Sequence, residues 1–263
     1  MFNLVFKRRC TVADKQEEAN HPYSPFAVGG LTLALLAGTA EIIAGLGHRW
    51  GIWDYRTGLT TLRWAVYGGG AAGLISLLGA ILSRPGGKRR GFILSLSGLL
   101  LALLMVGLPW SYRLQARHIP PIHDITTDTE NPPRFIAILP LRKEAPNPAD
   151  YGGPEIAAQQ RAAYGDIVPL ELSLPAAQAF PRALSAARAL GWQIVDVQEQ
   201  AGRIEATDTT FWFGFKDDVV VQVRATAGVS RIDVRSLSRV GRSDLGTNAK
   251  RIRSFLQKIK EMD

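Results

Sequence analysis

Cysteine is almost absent from this chain, with one residue, Cys10, among 263. No intrachain disulfide can form. The surrounding "FKRRCTV" also lacks the small apolar residues of a lipoprotein cleavage box, so Cys10 reads as an ordinary thiol near a membrane. The cysteine-free remainder suits an oxidising compartment. Histidine is scarce too, four in all, and the C-terminal half holds only His118 and His123. Their spacing is not that of a metal pair, and soft ligands are lacking, so no metal and no cofactor are expected. His123 beside Asp124 makes no triad, because neighbouring side chains diverge and no nucleophile elbow occurs. Asp217 and Asp218 are consecutive in a strand pattern and face opposite ways, which disqualifies them as an acid/base pair. No phosphate-cradling loop exists; "YGGGAAG" opens an apolar run.

Acidic residues are rare in the first part. Residues 1–112 hold 11 Lys+Arg against 5 Asp+Glu, whereas 113–263 hold 20 against 18. The basic excess therefore flanks hydrophobic runs, the pattern of a membrane protein rather than of a nucleic-acid groove. Three runs approach the ~20 apolar residues of a span: residues 26–47, 64–82 and 91–110. A cleaved signal peptide fits the first poorly, because 25 mostly polar residues precede it. Lys7, Arg8, Arg9 and Lys15 precede the first run, and Arg84, Lys88, Arg89 and Arg90 separate the second from the third. With three spans these segments share a side, which the basic residues mark as cytoplasmic. Trp50, Trp53, Tyr55, Trp64, Trp110 and Tyr112 gather at the opposite interface as an aromatic belt. The expected order is a cytoplasmic segment 1–25, a three-helix transmembrane domain 26–112, and an extracytoplasmic domain 118–263. In a Gram-negative cell that domain is periplasmic and the spans lie in the inner membrane.

Small residues recur four apart in the spans: Ala65, Gly69 and Gly73, then Ala72, Ser76 and Ala80. Such faces serve close helix packing, within one bundle or between copies of an oligomer. Glu41 is an intramembrane carboxylate about 9 Å from the end of its run, at ~1.5 Å per residue. It reads as functional, or as snorkelling toward water or Arg49. The loop "GHRWGIWDYRTGL" reads as an interfacial anchor with an Asp54–Arg56 ion pair, or as a floor beneath the following domain.

Eight of the 15 prolines lie between His118 and Gly165, so turns and short edge pieces such as "RFIAILPL" are expected there. A helix follows, with Ser173 as cap, Pro175 in the first turn, a kink or restart at Pro181, and Gly191 as the stop. "WQIVDVQE", "GRIEATDTT", "FWFGF", "DDVVVQVRAT" and "SRIDVRSLS" read as strands joined by "EQAG" and "TAGV". A closing helix from about Asp244 carries Ile252, Phe255, Leu256 and Ile259 as an apolar stripe. The fold class is three N-terminal transmembrane helices followed by an α+β domain, an antiparallel meander with helices on one face.

Alternation in the last strand places Arg231, Asp233, Arg235, Leu237 and Arg239 on one side, where Arg203, Glu205, Thr207, Gln222 and Arg224 join them. This face reads as a solvated ladder of cross-strand pairs or as an anion-binding surface. In "RVGRSDLG", Gly241 admits a positive φ, and Ser243 or Asp244 caps the closing helix. Arg239 and Arg242 then flank a helix N-terminus, unless Asp244 already satisfies its amides.

The pieces "IHDITTD", "YGDI" with "PL" soon after, "GW", "IEA", "DDVVVQVR" and above all "DVRSLSRVGRSDLGTNAKRIRSF" resemble domain of unknown function family 1499 over residues 118–260. The usual proline of "YPDI" is Gly165 here. Members occur in bacteria and chloroplasts, and some carry membrane spans ahead of the domain; the loop "GIWDYRTGL" is similar to membrane-attached members. The resemblance supplies no activity. It implies that Asp124, Asp166, Arg235, Ser236, Ser238, Arg239, Gly241, Asp244, Leu245, Gly246, Asn248 and Arg251 act together. The candidate ligand-binding set is Arg235, Ser236, Ser238, Arg239, Gly241, Arg242, Asp244, Asn248 and Asp124, with no catalytic residue assigned. Expected partners are membrane lipids and an envelope protein. The alternatives are an envelope enzyme acting on lipid or glycan with Asp124 or Asp244 as acid/base, and a structural subunit of a membrane complex.

Overall fold

The computed structural model describes residues 21–117, 119–226 and 228–262. The expectations for Cys10, for Lys7, Arg8, Arg9 and Lys15, and for His118 lie outside the described residues. The chain divides into two compact units, Met1–Tyr112 and Arg113–Asp263.

The first unit contains α1 (Pro25–Arg49), α2 (Tyr55–Leu82) and the greater part of α3 (Phe92–Ala116), all long and apolar enough to cross a membrane. The shortest have 25 residues, roughly 38 Å of helix against a hydrocarbon core of about 30 Å. Their lipid-side residues, such as Leu74 and Ile93, are exposed, while small residues fill the seams. A Cβ added to Gly30 would lie 2.5 Å from Ser76 Oγ, and one on Gly79 would lie 2.8 Å from the backbone nitrogen of Ala27. Gly69 faces Met105, and Gly73 faces Ala102. The stripes noted in the sequence thus bring backbones together inside the bundle, where close van der Waals contact replaces a hydrophobic drive.

Helix α2 starts nine residues before the span predicted at Trp64. The cause is Asp54, whose carboxylate accepts hydrogen bonds from Arg56 N (2.7 Å), Thr57 N (3.2 Å) and Thr57 Oγ1 (2.8 Å). This carboxylate is spent as an N-cap, while Arg56 Nε donates to Tyr55. The expected Asp54–Arg56 pairing is therefore a cap geometry.

The second unit is built on a six-stranded antiparallel sheet: β1 (Asp124–Thr126), β2 (Leu170–Leu172), β3 (Gln193–Gln198), β4 (Arg203–Thr209), β5 (Lys216–Thr226) and β6 (Val229–Ser238). The order is β1-β6-β5-β4-β3, with β2 also on β6. β1 and β2 share that edge, pairing with residues 235–237 and 230–232 respectively. Helix α4 (Gly153–Ala163) precedes β2, α5 (Ala176–Ala189) precedes β3, and α6 (Thr247–Lys260) closes the chain.

The helical side buries a continuous apolar core. Val219, Val221 and Val223 from β5, with Ile232 and Val234 from β6, meet Ala183 and Phe180 of α5 and Ile252, Phe255 and Ile259 of α6. Trp192 stacks on Phe255 with ring centroids 5.0 Å apart. Truncating the fully buried Phe255 to alanine costs about 3–5 kcal/mol on that packing.

Several sequence expectations need correction. "FWFGF" is no strand but the turn joining β4 to β5, held by Thr210 N donating to Phe215 O (2.8 Å) and Phe215 N donating to Thr210 Oγ1 (2.8 Å). Helix α5 runs through Pro181 without a restart, and its N-cap is Pro175 instead of Ser173. The closing helix starts at Thr247, three residues after Asp244, because Leu245 (φ 54°) and Gly246 (φ 80°) are left-handed. "RFIAILPL" forms no edge strand; it enters a 3-10 turn, Leu139–Arg142.

That turn changes the reading of the charged face. Phe135 and Ile138 pack with Val220 and Leu237 on the side of the sheet away from α5 and α6. The irregular segment between β1 and α4 therefore covers a face that alternation alone presents as a solvated ladder. Glu205, Asp218 and Asp233 are fully buried there.

Candidate functional site

The nine candidate residues fall on two sides of the sheet, because successive residues of β6 point opposite ways. On the helical side, Ser236 Oγ donates to Asn248 Oδ1 (2.7 Å), and Asn248 Nδ2 donates to Ser238 Oγ (3.0 Å) and to the carbonyl of His123 (2.9 Å). Arg251 completes the group, with Nη1 to Asn248 Oδ1 (2.5 Å), Nη2 to Asp217 (2.7 Å) and Nε to Asp208 (2.7 Å). These bonds join α6 to the sheet and to the residue that precedes β1.

On the other side, Arg235 donates from Nε and Nη2 to the two oxygens of Asp124 (2.9 and 2.7 Å), and also to the carbonyls of Pro133 and Ala149. Its guanidinium lies over the rings of Phe135 (5.0 Å) and Tyr151 (5.5 Å). Arg239 grips Asp218 in the same two-pronged way (2.9 and 2.8 Å), and Arg142 reaches the same carboxylate at 2.5 Å. Thr207 Oγ1 donates to it as well (2.7 Å). Burial pulls the Arg142 guanidinium below its ordinary range, and Asp218 opposes that effect. Such forked pairs are geometrically demanding, and a buried partner cannot be removed cheaply.

Glu205 is the strongest anchor of the covering segment. Its buried carboxylate accepts four hydrogen bonds from three consecutive backbone amides, Ile136, Ala137 and Ile138, at 2.9–3.1 Å. Arg203 Nε approaches it at 2.9 Å. In the sequence Glu205 reads only as one charge on a face; its amide partners lie 67–69 positions away.

At the corner, Gly241 adopts φ 94° and its carbonyl accepts from Asn147 Nδ2 (2.9 Å). Asp244 accepts from the amides of Gly246 (3.0 Å) and Asn248 (2.6 Å), so it satisfies the helix entry itself. Burial pushes its carboxyl pKa up, against those amides. Arg242 is exposed, and its carbonyl lies 3.2 Å from His123 Nδ1. The two arginines thus do not converge: Arg239 turns to Asp218 while Arg242 faces solvent. Asp166 lies apart from the corner, pairing with Arg253 in two bonds (2.5 and 2.7 Å) that hold its carboxyl below the usual range. Among the described residues no group of His, Cys, Asp and Glu is arranged to hold a metal ion. In α1, one carboxylate oxygen of Glu41 is buried without a hydrogen-bond partner among the described residues.

One concave feature of this unit lies between the covering segment and the sheet. A cleft of about 760 Å³ is lined by Arg134, Arg203, Arg224 and Arg235 together with Gln222, Tyr151, Glu130 and Asp150. The carboxylates that pair with three of these arginines, Glu205, Asp233 and Asp124, are not among the lining residues. Arg134 and Arg224 are exposed. The Tyr151 hydroxyl is buried and has no hydrogen-bond partner among the described residues. Burial, with Asp124 adding, pushes its pKa up to about 12, so it remains a neutral donor. Of this lining, only Arg203, Gln222, Arg224 and Arg235 are legible in the sequence, through strand alternation. Arg134 and Tyr151 come from the proline-rich stretch, which has no periodicity to place them.

Residues 124–259 match the family model described as "Protein of unknown function (DUF1499)", a little over half of the chain. No curated protein matches the chain.

Proposed function

We propose, from the premise that this chain belongs to the DUF1499 family, that it is a membrane-held binding module whose α+β unit takes an anionic ligand. Three apolar helices anchor it, and the basic residues around α1 and between α2 and α3 orient the unit to the extracytoplasmic side, by the bias of cytoplasmic loops toward Lys and Arg. One observation carries the ligand class. Four arginines line a single 760 Å³ cleft against two lining carboxylates, Glu130 and Asp150, and the carboxylates that pair with three of the arginines are not among its lining residues. Arg134 and Arg224 supply exposed donors, Arg224 while also paired with Asp233, Arg203 and Arg235 a floor of guanidinium groups held by their own carboxylates, and Tyr151 an uncommitted hydroxyl. Guanidinium donors suit a phosphate, carboxylate or sulfate group.

The acid/base reading fares less well. Asp124 is held in two bonds by Arg235, and Asp244 caps α6. Neither carboxylate belongs to the cleft lining. The corner around Gly241 reads accordingly as architecture, and the binding role passes to the cleft.

Native mass spectrometry of the intact protein released from nanodiscs tests this. The parent is expected to carry a defined anionic adduct that an Arg134→Gln, Arg224→Gln double variant of unchanged melting temperature loses. An adduct retained equally by the variant, or a parent free of adduct with all anionic lipids and glycans offered, refutes the reading.

A further inference from the structure

The corner between β6 and α6, residues 239–246, is tied to the segment by which the chain leaves α3. The last turn of α3, from Arg113, belongs to the same compact unit as the sheet. The chain bends at once after it, with Ile119 N donating to Ala116 O (3.4 Å). Ser243 Oγ then donates to the carbonyl of Pro120 (3.4 Å), and Asp244 N to that of Ile122 (3.2 Å). A Cβ on Gly246 would lie 3.8 Å from Ile119 Cδ1. A membrane span needs about 20 of the 25 residues of α3, and the exposed Trp110 and Tyr112 mark where it ends. The corner is therefore bonded to residues that follow a membrane helix by only four to six positions.

The inner atoms of the corner serve the fold, but its outer side chains do not. Leu245 N donates to Ser243 Oγ (3.2 Å), and the Asp244 carboxylate accepts from the amides of Gly246 and Asn248. Leu245 itself is the one non-glycine residue of positive φ among the described residues, at 54°. In that conformation Cβ crowds the following carbonyl oxygen. No core contact offsets this cost: the Leu245 side chain is 50% exposed and belongs to neither apolar cluster of the sheet. Arg113, Arg117 and Arg242 are exposed as well, and so is Leu114 in the last turn of α3. Residues 113–123 and 239–246 hold a single acidic residue, Asp244. An apolar side chain kept outside the core on a costly backbone, with arginines in the same two segments, has the make-up of a contact with a membrane interface.

We propose that this corner docks on the anionic phospholipid interface of the bilayer that α3 leaves. Leu245 enters the boundary between headgroups and acyl chains, and Arg242 pairs with a lipid phosphate through charge-assisted bonds. Neither contact alone would hold a free protein at a membrane, where stable attachment takes two signals. The tether changes that. The five residues between Ala116 and Ile122 reach at most about 20 Å when extended, so docking is intramolecular, at an effective concentration of the order of millimolar. Strand register places the β3–β4 turn beyond Arg203, Gln222 and Asp233, at the other end of the sheet from Ser238. A docked corner thus keeps that turn away from the headgroups and fixes which end of the unit meets the lipid. None of these contact residues lines the arginine cleft, so the proposal stands independently of it.

A fluorophore on Lys250→Cys, in the first turn of α6, reports docking in the full chain once Cys10 is replaced by serine; Gln200→Cys reports the far end. The nanodiscs hold phosphatidylglycerol and phosphatidylcholine in equal parts, with a few headgroups spin-labelled as quenchers. Quenching is expected at position 250 and not at 200. Arg242→Gln should lower the ratio of docked to undocked protein about fivefold, the order expected for one basic residue at an anionic surface, and only when phosphatidylglycerol is present. Leu245→Asn keeps a left-handed backbone but removes the apolar group, so it should lower the ratio in either lipid. Lys260→Gln, at the other end of α6, should change nothing. Unchanged quenching in both Arg242→Gln and Leu245→Asn means that the tether alone brings position 250 near the headgroups, and overturns the docking surface. Equal losses from Lys260→Gln and Arg242→Gln overturn it too, since net charge then suffices. An undiminished Arg242→Gln effect in phosphatidylcholine alone overturns the anionic assignment, and equal quenching at position 200 overturns the orientation. Melting temperatures at or above that of the parent show that the variants remain folded.

Discussion

Replacing Glu205 by glutamine changes almost no volume but removes the charge that holds the covering segment. The carboxylate is fully buried and accepts four hydrogen bonds from the amides of Ile136, Ala137 and Ile138, with Arg203 beside it. A glutamine keeps one acceptor oxygen and turns an NH2 group toward donors that need an acceptor. Hydrogen bonds to charged groups contribute about 1.5–3 kcal/mol each, and breaking a buried ionic contact costs about 3–5 kcal/mol. With half of the acceptor capacity retained, a loss of about 3 kcal/mol is expected for this segment. That corresponds to roughly a hundredfold more frequent opening. Hydrogen exchange by mass spectrometry on the intact protein in nanodiscs reads it directly. A peptide covering residues 134–142 should lose about a hundredfold in protection, while peptides from α5 and α6 keep theirs. A change below about fivefold would show that the amides find water or another acceptor with ease. A uniform loss across both faces of the sheet would show that the covering segment has no separate opening mode; either result refutes the argument.

Three other outcomes follow from the same geometry. Arg235→Ala should destabilise the α+β unit by about 3–5 kcal/mol in urea unfolding, since Asp124 is left buried and unpaired; a companion Asp124→Ala change should recover part of that loss. Tyr151 has its pKa raised from 10.0 to about 12, so its contribution is complete below pH 10 and is lost as pH rises through the folded value. Between pH 10 and 12 the parent should therefore lose stability relative to Tyr151→Phe, and parallel profiles would contradict this. Gly30→Val should separate α1 from α2, because a Cβ there meets Ser76 Oγ at 2.5 Å; a lower melting temperature in detergent, with the α+β unit unaffected, is the expected signature.

The charged residues of β4, β5 and β6 were assignable to one face because strand alternation is rigid, and Arg203, Glu205, Gln222, Arg224 and Arg235 do share it. What covers that face was hidden. The stretch "ENPPRFIAILPLRKEAPNP" has no period, and its contacts with Glu205 and Asp218 span 67 to 76 positions. The strands β1 and β2 have three residues each, too short for alternation to declare itself. "FWFGF" looked like a strand because its aromatic residues have high strand propensity, yet Gly214 with φ 67° turns the chain there. Pro181 misled in the other direction, since α5 is held by the burial of Ala179, Phe180 and Ala183 and tolerates one missing N–H. The membrane helices were the most legible part, their limits excepted: a cap such as Asp54 extends a helix beyond its apolar stretch.

The two faces of the sheet respond to temperature in opposite ways. The side under α5 and α6 is held mainly by apolar burial, whose driving force weakens on cooling, with the Arg251 pairs to Asp208 and Asp217 beside it. The other side is held by Glu205, Asp218, Asp233 and their arginines, and the cost of keeping charges out of water falls as temperature rises. Warming thus favours the ionic layer while conformational entropy works against the whole, and cooling loosens the helical layer first. One sheet shared by both layers spreads cohesion across a wider thermal range than either kind of contact gives alone.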